Sequence, residues 1–203
     1  WPFENKEVFK EQFPADFIVE GVDQTRGWFY RLLAVSTLLD MGPAYKNVMS
    51  LGHTLDEHGK KMSKSKGNVI FPGDFMDLVG VDATRWYFAV AGASGEPMIV
   101  NVKDAQERLK GFLMTLENCV RFYELYEASA PRGEMNPTLL DQWMLSRLNR
   151  IIIEATSHLD NYDPATAARM IEKLVTDDLS KWWLRRSRSR PEAIGMLRYL
   201  MFV

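Results

Sequence analysis

The period of the apolar residues changes near residue 100, and that change limits what the chain can fold into. Before it, short apolar runs alternate with helical patterns; after it, every pattern is helical. Phe17-Ile18-Val19 is an apolar run that ends at Gly21 and is expected to form a buried strand. A helix is expected from about Thr25 to Asp40, because Phe29, Leu32, Leu33, Ser36 and Leu39 fall near helical spacing, and Gly42-Pro43 ends it. Val48-Met49-Ser50-Leu51 reads as a second strand. A strand, a helix and a strand in this order imply a parallel βαβ unit. A loop rich in Lys and Gly follows, from Asp56 to Asn68, and two short helices are expected after Pro72 and after Asp82.

The second half carries three helical stripes. Asn101 is placed to cap a helix whose Ala105, Leu109, Phe112, Leu116, Val120 and Tyr123 share one face. Pro131 to Pro137 reads as a linker. Asn136-Pro137 has the form of a cap with proline at the first helical position, ahead of the stripe Leu140, Met144, Leu148, Ile151, Ala155 and Leu159. Asp163-Pro164 repeats that start, with Ala168, Ile171, Val175, Leu179 and Trp182 behind it, and Pro191 starts a last helix. The expected class is α/β followed by all-α, with the boundary dividing residues 1–100 from 101–203.

At roughly 150 residues per domain, 203 residues make one to two domains, and a 46% hydrophobic content can supply a core. The net charge of -2 excludes a chain that is basic all over, so a nucleic-acid partner would be held by local patches. Cys119 is the single cysteine, so no internal disulfide is possible and nothing points to an oxidising compartment. No apolar run approaches the ~20 residues that span a membrane, and the start Trp1-Pro2-Phe3 is not a signal peptide. A cytoplasmic location is therefore expected. Cys119, His53, His58 and His158 make no metal constellation, and the histidines read as loop or surface residues. The chain starts on Trp1, not Met, and stops at Met201-Phe202-Val203 inside a helical pattern, so an internal segment of a longer protein is expected.

The most specific motif is Lys61-Met62-Ser63-Lys64-Ser65, followed by Lys66-Gly67-Asn68. Gly59 and Gly67 flank it and allow positive φ at low cost. Its ammonium and hydroxyl groups are donors suited to a polyphosphate. It is not a Walker-type P-loop, which needs G-x-x-x-x-G-K-[ST]. A solvated basic turn between strands would have the same composition. The five fixed residues and the Gly-Asn after them resemble the signature loop of the class I aminoacyl-tRNA synthetases. That resemblance implies a loop that closes over ATP while an amino-acid carboxylate attacks the α-phosphate and pyrophosphate leaves. Lys64 would contact ATP and meet the charge that builds on the phosphate oxygens, with Lys61 second. Ser63 and Ser65 would shape the loop or bond to phosphate, because no paired base marks either as a nucleophile. Mg²⁺ is expected to accompany the ATP.

A second cluster, from Glu20 to Phe29, sits where a strand meets a helix. Ligands of open α/β sheets bind at such strand ends. An acidic residue there can accept from ribose hydroxyls, and Gly21 permits close approach of a nucleotide. Equally, Asp23 could be a helix N-cap and Trp28 a core residue. The stretch from Phe13-Pro14-Ala15-Asp16 through Asp23-Gln24-Thr25-Arg26-Gly27-Trp28-Phe29 resembles the isoleucine-specific branch of the same family. The resemblance implies that Glu20, Gly21, Asp23 and Gln24 hold the aminoacyl-adenylate and that Trp28 lines the side-chain pocket.

In the helical half, Asp141-Gln142-Trp143-Met144-Leu145-Ser146-Arg147-Leu148 and the run from Asp177 to Arg188 resemble the family's anticodon-binding domain. Its tryptophans are expected in the core. Arg185, Arg186, Arg188 and Arg190 form a basic run with two readings: a helix C-terminus whose dipole favours cations, or contact with tRNA phosphates. The resemblance implies the second half of a Rossmann-like catalytic domain joined to a truncated helical-bundle anticodon-binding domain, acting on isoleucine, ATP and tRNA(Ile). The family's upstream His-Ile-Gly-His signature and its editing domain are not in this stretch, so no autonomous catalysis is expected. The alternatives are a synthetase for another aliphatic amino acid, and a non-catalytic tRNA-binding module.

Overall fold

The computed structural model describes residues 4–92, 95–129 and 136–202. Most of the expected linker at 131–137 lies outside the described residues. Two compact units are present, one from residues 1–69 and 92–100, the other from residues 70–91 and 101–203.

In the first unit, helix α1 (Lys6–Gln12) leads into strand β1 (Ala15–Gly21). Helix α2 (Trp28–Leu38) crosses over to strand β2 (Tyr45–Leu51). The two strands pair in parallel, Ala15 opposite Tyr45 and Gly21 opposite Leu51, so the expected βαβ unit is present. The helix starts at Trp28 because residues Val22–Arg26 form a tight 3-10 turn first. β1 is less buried than its apolar run suggested. Ile18 is buried, but Phe17 and Val19 stay 37% and 39% exposed. Parallel strands are normally covered on both faces by layers of helices, and the sheet described here has two strands. Strand β3 (Thr54–Leu55) pairs in parallel with β4 (Met98–Ile99). Strands of two residues carry no readable period, and the sequence gives no sign of them. Gly52 is needed there, because a Cβ on it would collide with the Glu96 carbonyl.

The second unit is helical: α3 (Pro72–Val79), α4 (Val81–Val90), α5 (Val102–Arg108), α6 (Met114–Tyr126), α7 (Leu139–Asp160), α8 (Pro164–Lys173), α9 (Arg185–Ser187) and α10 (Glu192–Phe202). Cys119, Met144, Trp183 and Leu197 lie at the centre of its core. Two expected caps are in place: Asn101 accepts from the Lys103 N–H, and Asp163 accepts from the Thr166 N–H. The cap of α7 differs. Thr138, not Asn136, accepts from the Asp141 N–H, while the Asp141 carboxylate accepts from the Thr138 N–H. This is a reciprocal capping box, with Asp141 as its N3 partner.

Two stripes also shift. Residues Leu109–Leu113 and Leu174–Leu184 are π-helical. Their i→i+5 bonds put an extra residue into the turn and rotate everything after it. In the first stripe Cys119 is buried beside the expected Val120, and Tyr123 keeps its expected place. Trp183 is fully buried, while Trp182 remains 46% exposed. Polar ties join these helices. Glu172 accepts from Trp86 Nε1 at 2.8 Å and from Arg108 at 3.1 Å. Arg169 donates twice to the Val90 carbonyl, at 3.1 and 2.9 Å.

Candidate functional site

Because β1 and β2 are parallel, their carboxyl ends lie side by side, with Glu20 opposite Ser50 and Gly21 opposite Leu51. From this one edge leave both the turn after β1 and the segment that runs into the lysine loop. That edge is where open α/β sheets place ligands.

The turn after β1 is held by its own side chains. Gln24 Nε2 donates to Asp23 Oδ2 at 2.9 Å, and Gln24 Oε1 accepts from the Trp28 N–H at 2.9 Å. Gln24, rather than Asp23, therefore satisfies the first turn of α2. Thr25 Oγ1 donates to the Val22 carbonyl at 2.7 Å. A Cβ on Gly21 would lie 2.7 Å from Asp23 Oδ1, the movable end of an exposed side chain. At Gly27 a Cβ would lie 2.6 Å from Gln24 Oε1. The result is a compact turn with the carboxylates of Glu20 and Asp23 exposed. Ser50 was not singled out by its sequence. Its Oγ is buried without a hydrogen-bond partner, opposite Glu20.

Trp28 is 42% exposed, so it is not a core residue of the described chain. It borders an apolar cavity of about 590 Å³ together with Phe9, Phe13, Ile18, Leu32 and Val35. Glu20, Asp23 and Gln24 are not in that lining. The backbone bond from Trp28 to Gln24 joins the two features, but the carboxylates and the indole do not share one cavity.

The lysine loop is organised around Asp56. Asp56 is 8% exposed. Its Oδ1 accepts from the His58 and Lys60 N–H groups at 3.0 and 2.8 Å, and its Oδ2 accepts from Asn68 Nδ2 at 2.7 Å. The Asn68 amide, then the backbone donors, hold the Asp56 carboxyl below the usual carboxylate range. Asn68 Oδ1 accepts from the Ser63 N–H at 2.9 Å. Ser63 and Ser65 bond to each other at 2.7 Å, as loop-shaping groups would. Gly59 and Gly67 both take positive φ, 72° and 67°. Lys61 and Lys64 are exposed on this frame.

In the helical unit the arginine run divides. Arg190 turns inward and meets Asp141, 3% exposed, through two bonds of 3.0 and 2.8 Å. Trp183 Nε1 donates to the same carboxylate at 2.9 Å. Burial pushes the Asp141 carboxyl up, but Arg190, Thr138 and Trp183 outweigh it and hold it well below its ordinary value. Arg185, Arg186 and Arg188 stay exposed. Arg186 lies 3.7 Å over the ring of Trp182, so that tryptophan belongs to the surface and not to the core. Among the described residues no group of three or more His, Cys, Asp and Glu could hold a metal ion.

Residues 1–100 match the family model of tRNA synthetases class I (I, L, M and V), and residues 141–201 match that of the anticodon-binding domain of tRNA ligase. The isoleucine–tRNA ligase of Clostridium novyi (strain NT) is 49% identical over 199 residues, which is 94% of this chain and 19% of that protein. Isoleucine–tRNA ligase 2 of Bacillus cereus is 48% identical over 204 residues, 97% of this chain and 19% of the relative. The chain thus spans about a fifth of the length of these curated relatives. Among solved structures, Mycobacterium tuberculosis methionyl-tRNA synthetase bound by methionyl-adenylate superposes with a TM-score of 0.75 at 21% identity, over 98% of this chain and 41% of that one. The leucyl enzyme of Agrobacterium radiobacter K84, in a ternary complex with tRNA, gives 0.70 at 19% identity, over 92% of this chain and 25% of that one. These two likenesses show the fold.

Proposed function

The chain belongs to the class I tRNA synthetases, and on that premise we propose that it serves a longer enzyme that activates isoleucine with ATP and transfers it to tRNA(Ile). The observation that carries this function is the complete Lys61–Ser65 loop, folded on its own polar frame in a chain 48–49% identical to isoleucine–tRNA ligases. Residues 1–100 act as the second half of the Rossmann-like catalytic domain, and residues 101–203 as the start of the anticodon-binding domain.

In the first step the isoleucine carboxylate oxygen attacks the α-phosphorus of ATP, the bond to the β-phosphate bridging oxygen breaks, and pyrophosphate leaves. Charge grows on the phosphate oxygens. Lys64, and next to it Lys61, meets that charge with an ammonium group that is free to approach. Glu20, Gly21, Asp23 and Gln24, at the strand ends, hold the adenylate through its ribose hydroxyls and amino group. Trp28 supplies an apolar wall for the sec-butyl side chain; its exposure and the apolar cavity beside it support that role. Mg²⁺ would come with the ATP phosphates. Arg185, Arg186 and Arg188 contact tRNA phosphates. No described helix is long and apolar enough to cross a membrane.

The test is aminoacylation of tRNA(Ile) by the longer protein, scanned over isoleucine, valine, leucine and methionine. Isoleucine is expected to be charged best. Preferred charging of another amino acid would move the protein to a different branch of the class.

A further inference from the structure

We propose that Asp56 and Asn68 are positioning residues for Lys61 and Lys64, forming a side-chain latch that sets where the two ammonium groups are presented. This rests on the adenylate-forming function proposed above.

Backbone bonds hold the start of the loop: Lys61 is bridged to Leu55, the Asp56 N–H donates to the Lys60 carbonyl at 2.8 Å and the Met62 N–H to the Thr54 carbonyl at 3.4 Å. From Ser63 on, its regular structure is one 3-10 turn, Lys64–Lys66, and Gly59 and Gly67 sit in left-handed backbone. Asn68 closes the far end. Its Oδ1 accepts from the Ser63 N–H at 2.9 Å, its Nδ2 donates to Asp56 Oδ2 at 2.7 Å, and the same nitrogen lies 3.4 Å from the Lys61 carbonyl. Asp56 closes the near end through the His58 and Lys60 N–H groups. The pair adds side-chain ties to that backbone on both sides of Lys61, at Lys60 and Ser63, and directly before Lys64, at Ser63. A displacement near 1 Å in a group that must meet developing charge costs roughly 10²-fold in rate.

The donor order in the latch runs one way, and that order makes it testable. In Asp56→Asn the new NH₂ group faces the NH₂ group of Asn68. One amide must turn, and a turned Asn68 no longer accepts from Ser63. In Asn68→Asp two carboxylates face each other. The double exchange, Asp56→Asn with Asn68→Asp, restores a donor facing an acceptor and leaves a carboxylate oxygen for the Ser63 N–H.

The experiment uses the longer ligase: wild type, the two single variants and the double exchange. Isoleucine-dependent ATP–pyrophosphate exchange, melting temperature and tryptic cleavage after Lys61, Lys64 and Lys66 are measured for each. Each single variant is expected to lose roughly 10²-fold in kcat, with the KM for ATP and the melting temperature little changed and with faster cleavage in the loop. The double exchange is expected to recover most of the rate and the protection. Full activity in the single variants, or a loss that the double exchange does not recover, would overturn the latch. A fall in rate that only tracks the melting temperature would overturn it as well. A wild-type enzyme without isoleucine-dependent exchange would instead remove the parent function, and the cleavage comparison would still decide whether the pair holds the loop.

Discussion

In the role proposed for it, Lys64 lowers the barrier only so far as it binds the transition state better than ATP. Its side chain is exposed and its anchoring is in backbone, so removal should leave the fold alone. Lys64→Ala in the longer enzyme is expected to slow adenylate formation by about 10²–10³, with a smaller change in ATP affinity. Single-turnover kinetics separate the two, and an unchanged activation rate with a weakened ATP dissociation constant would contradict the role. Trp28 is decided the same way. As a pocket wall, Trp28→Ala should raise the KM for isoleucine more than that for ATP and narrow the preference over valine. One methylene is worth about 1–3 kcal/mol in an apolar pocket, a range for which the isoleucine enzymes are themselves the reference case. A large loss of melting temperature with unchanged discrimination would make Trp28 structural. The lysines and Trp28 could be singled out by motif. Asp56 and Asn68 could not be given roles, because they meet only when the loop folds back, and Ser50 could not, because its burial opposite Glu20 appears only when the strands align.

The caps and periods of single elements were readable where one local rule acts alone, as at Asn101 and Asp163. They were misread where two rules compete. At α7, Asn136-Pro137 offers a cap, but Thr138 wins because Asp141 answers it three residues on. The π-helical stretch 174–184 exchanges Trp182 for Trp183 in the core, and a regular 3.6 period cannot anticipate that. Asp141 then does two things, capping α7 and pairing with Arg190 beneath the exposed arginines. Breaking a buried pair by removing one partner costs about 3–5 kcal/mol, so Asp141→Asn should lower the melting temperature clearly. The pH dependence follows from the sign of the shift. The folded carboxyl is depressed, so its stabilisation is complete above the unfolded value of about 3.9 and drains as pH falls below it. Melting temperature should fall more steeply below about pH 4 in the wild type than in Asp141→Asn. Parallel curves for the two proteins would contradict the depressed Asp141.

At the scale of the whole molecule, the change of period near residue 100 announced α/β followed by helices. It did not show that α3 and α4 gather with the helical residues, or that residues 92–100 return to pair with β3. Contacts between segments far apart in the chain leave no local period. Under the proposed function this chain supplies one part of an adenylating site. It holds the lysine loop and one edge of the sheet, while its relatives are about five times as long, given that it covers 19% of them. The most direct measurement is isoleucine-dependent ATP–pyrophosphate exchange, run on residues 1–203 alone and on the longer protein side by side. Exchange is predicted from the longer protein with isoleucine preferred, and none above the no-protein blank from residues 1–203. Exchange by residues 1–203 alone, or none from the longer protein, would contradict it.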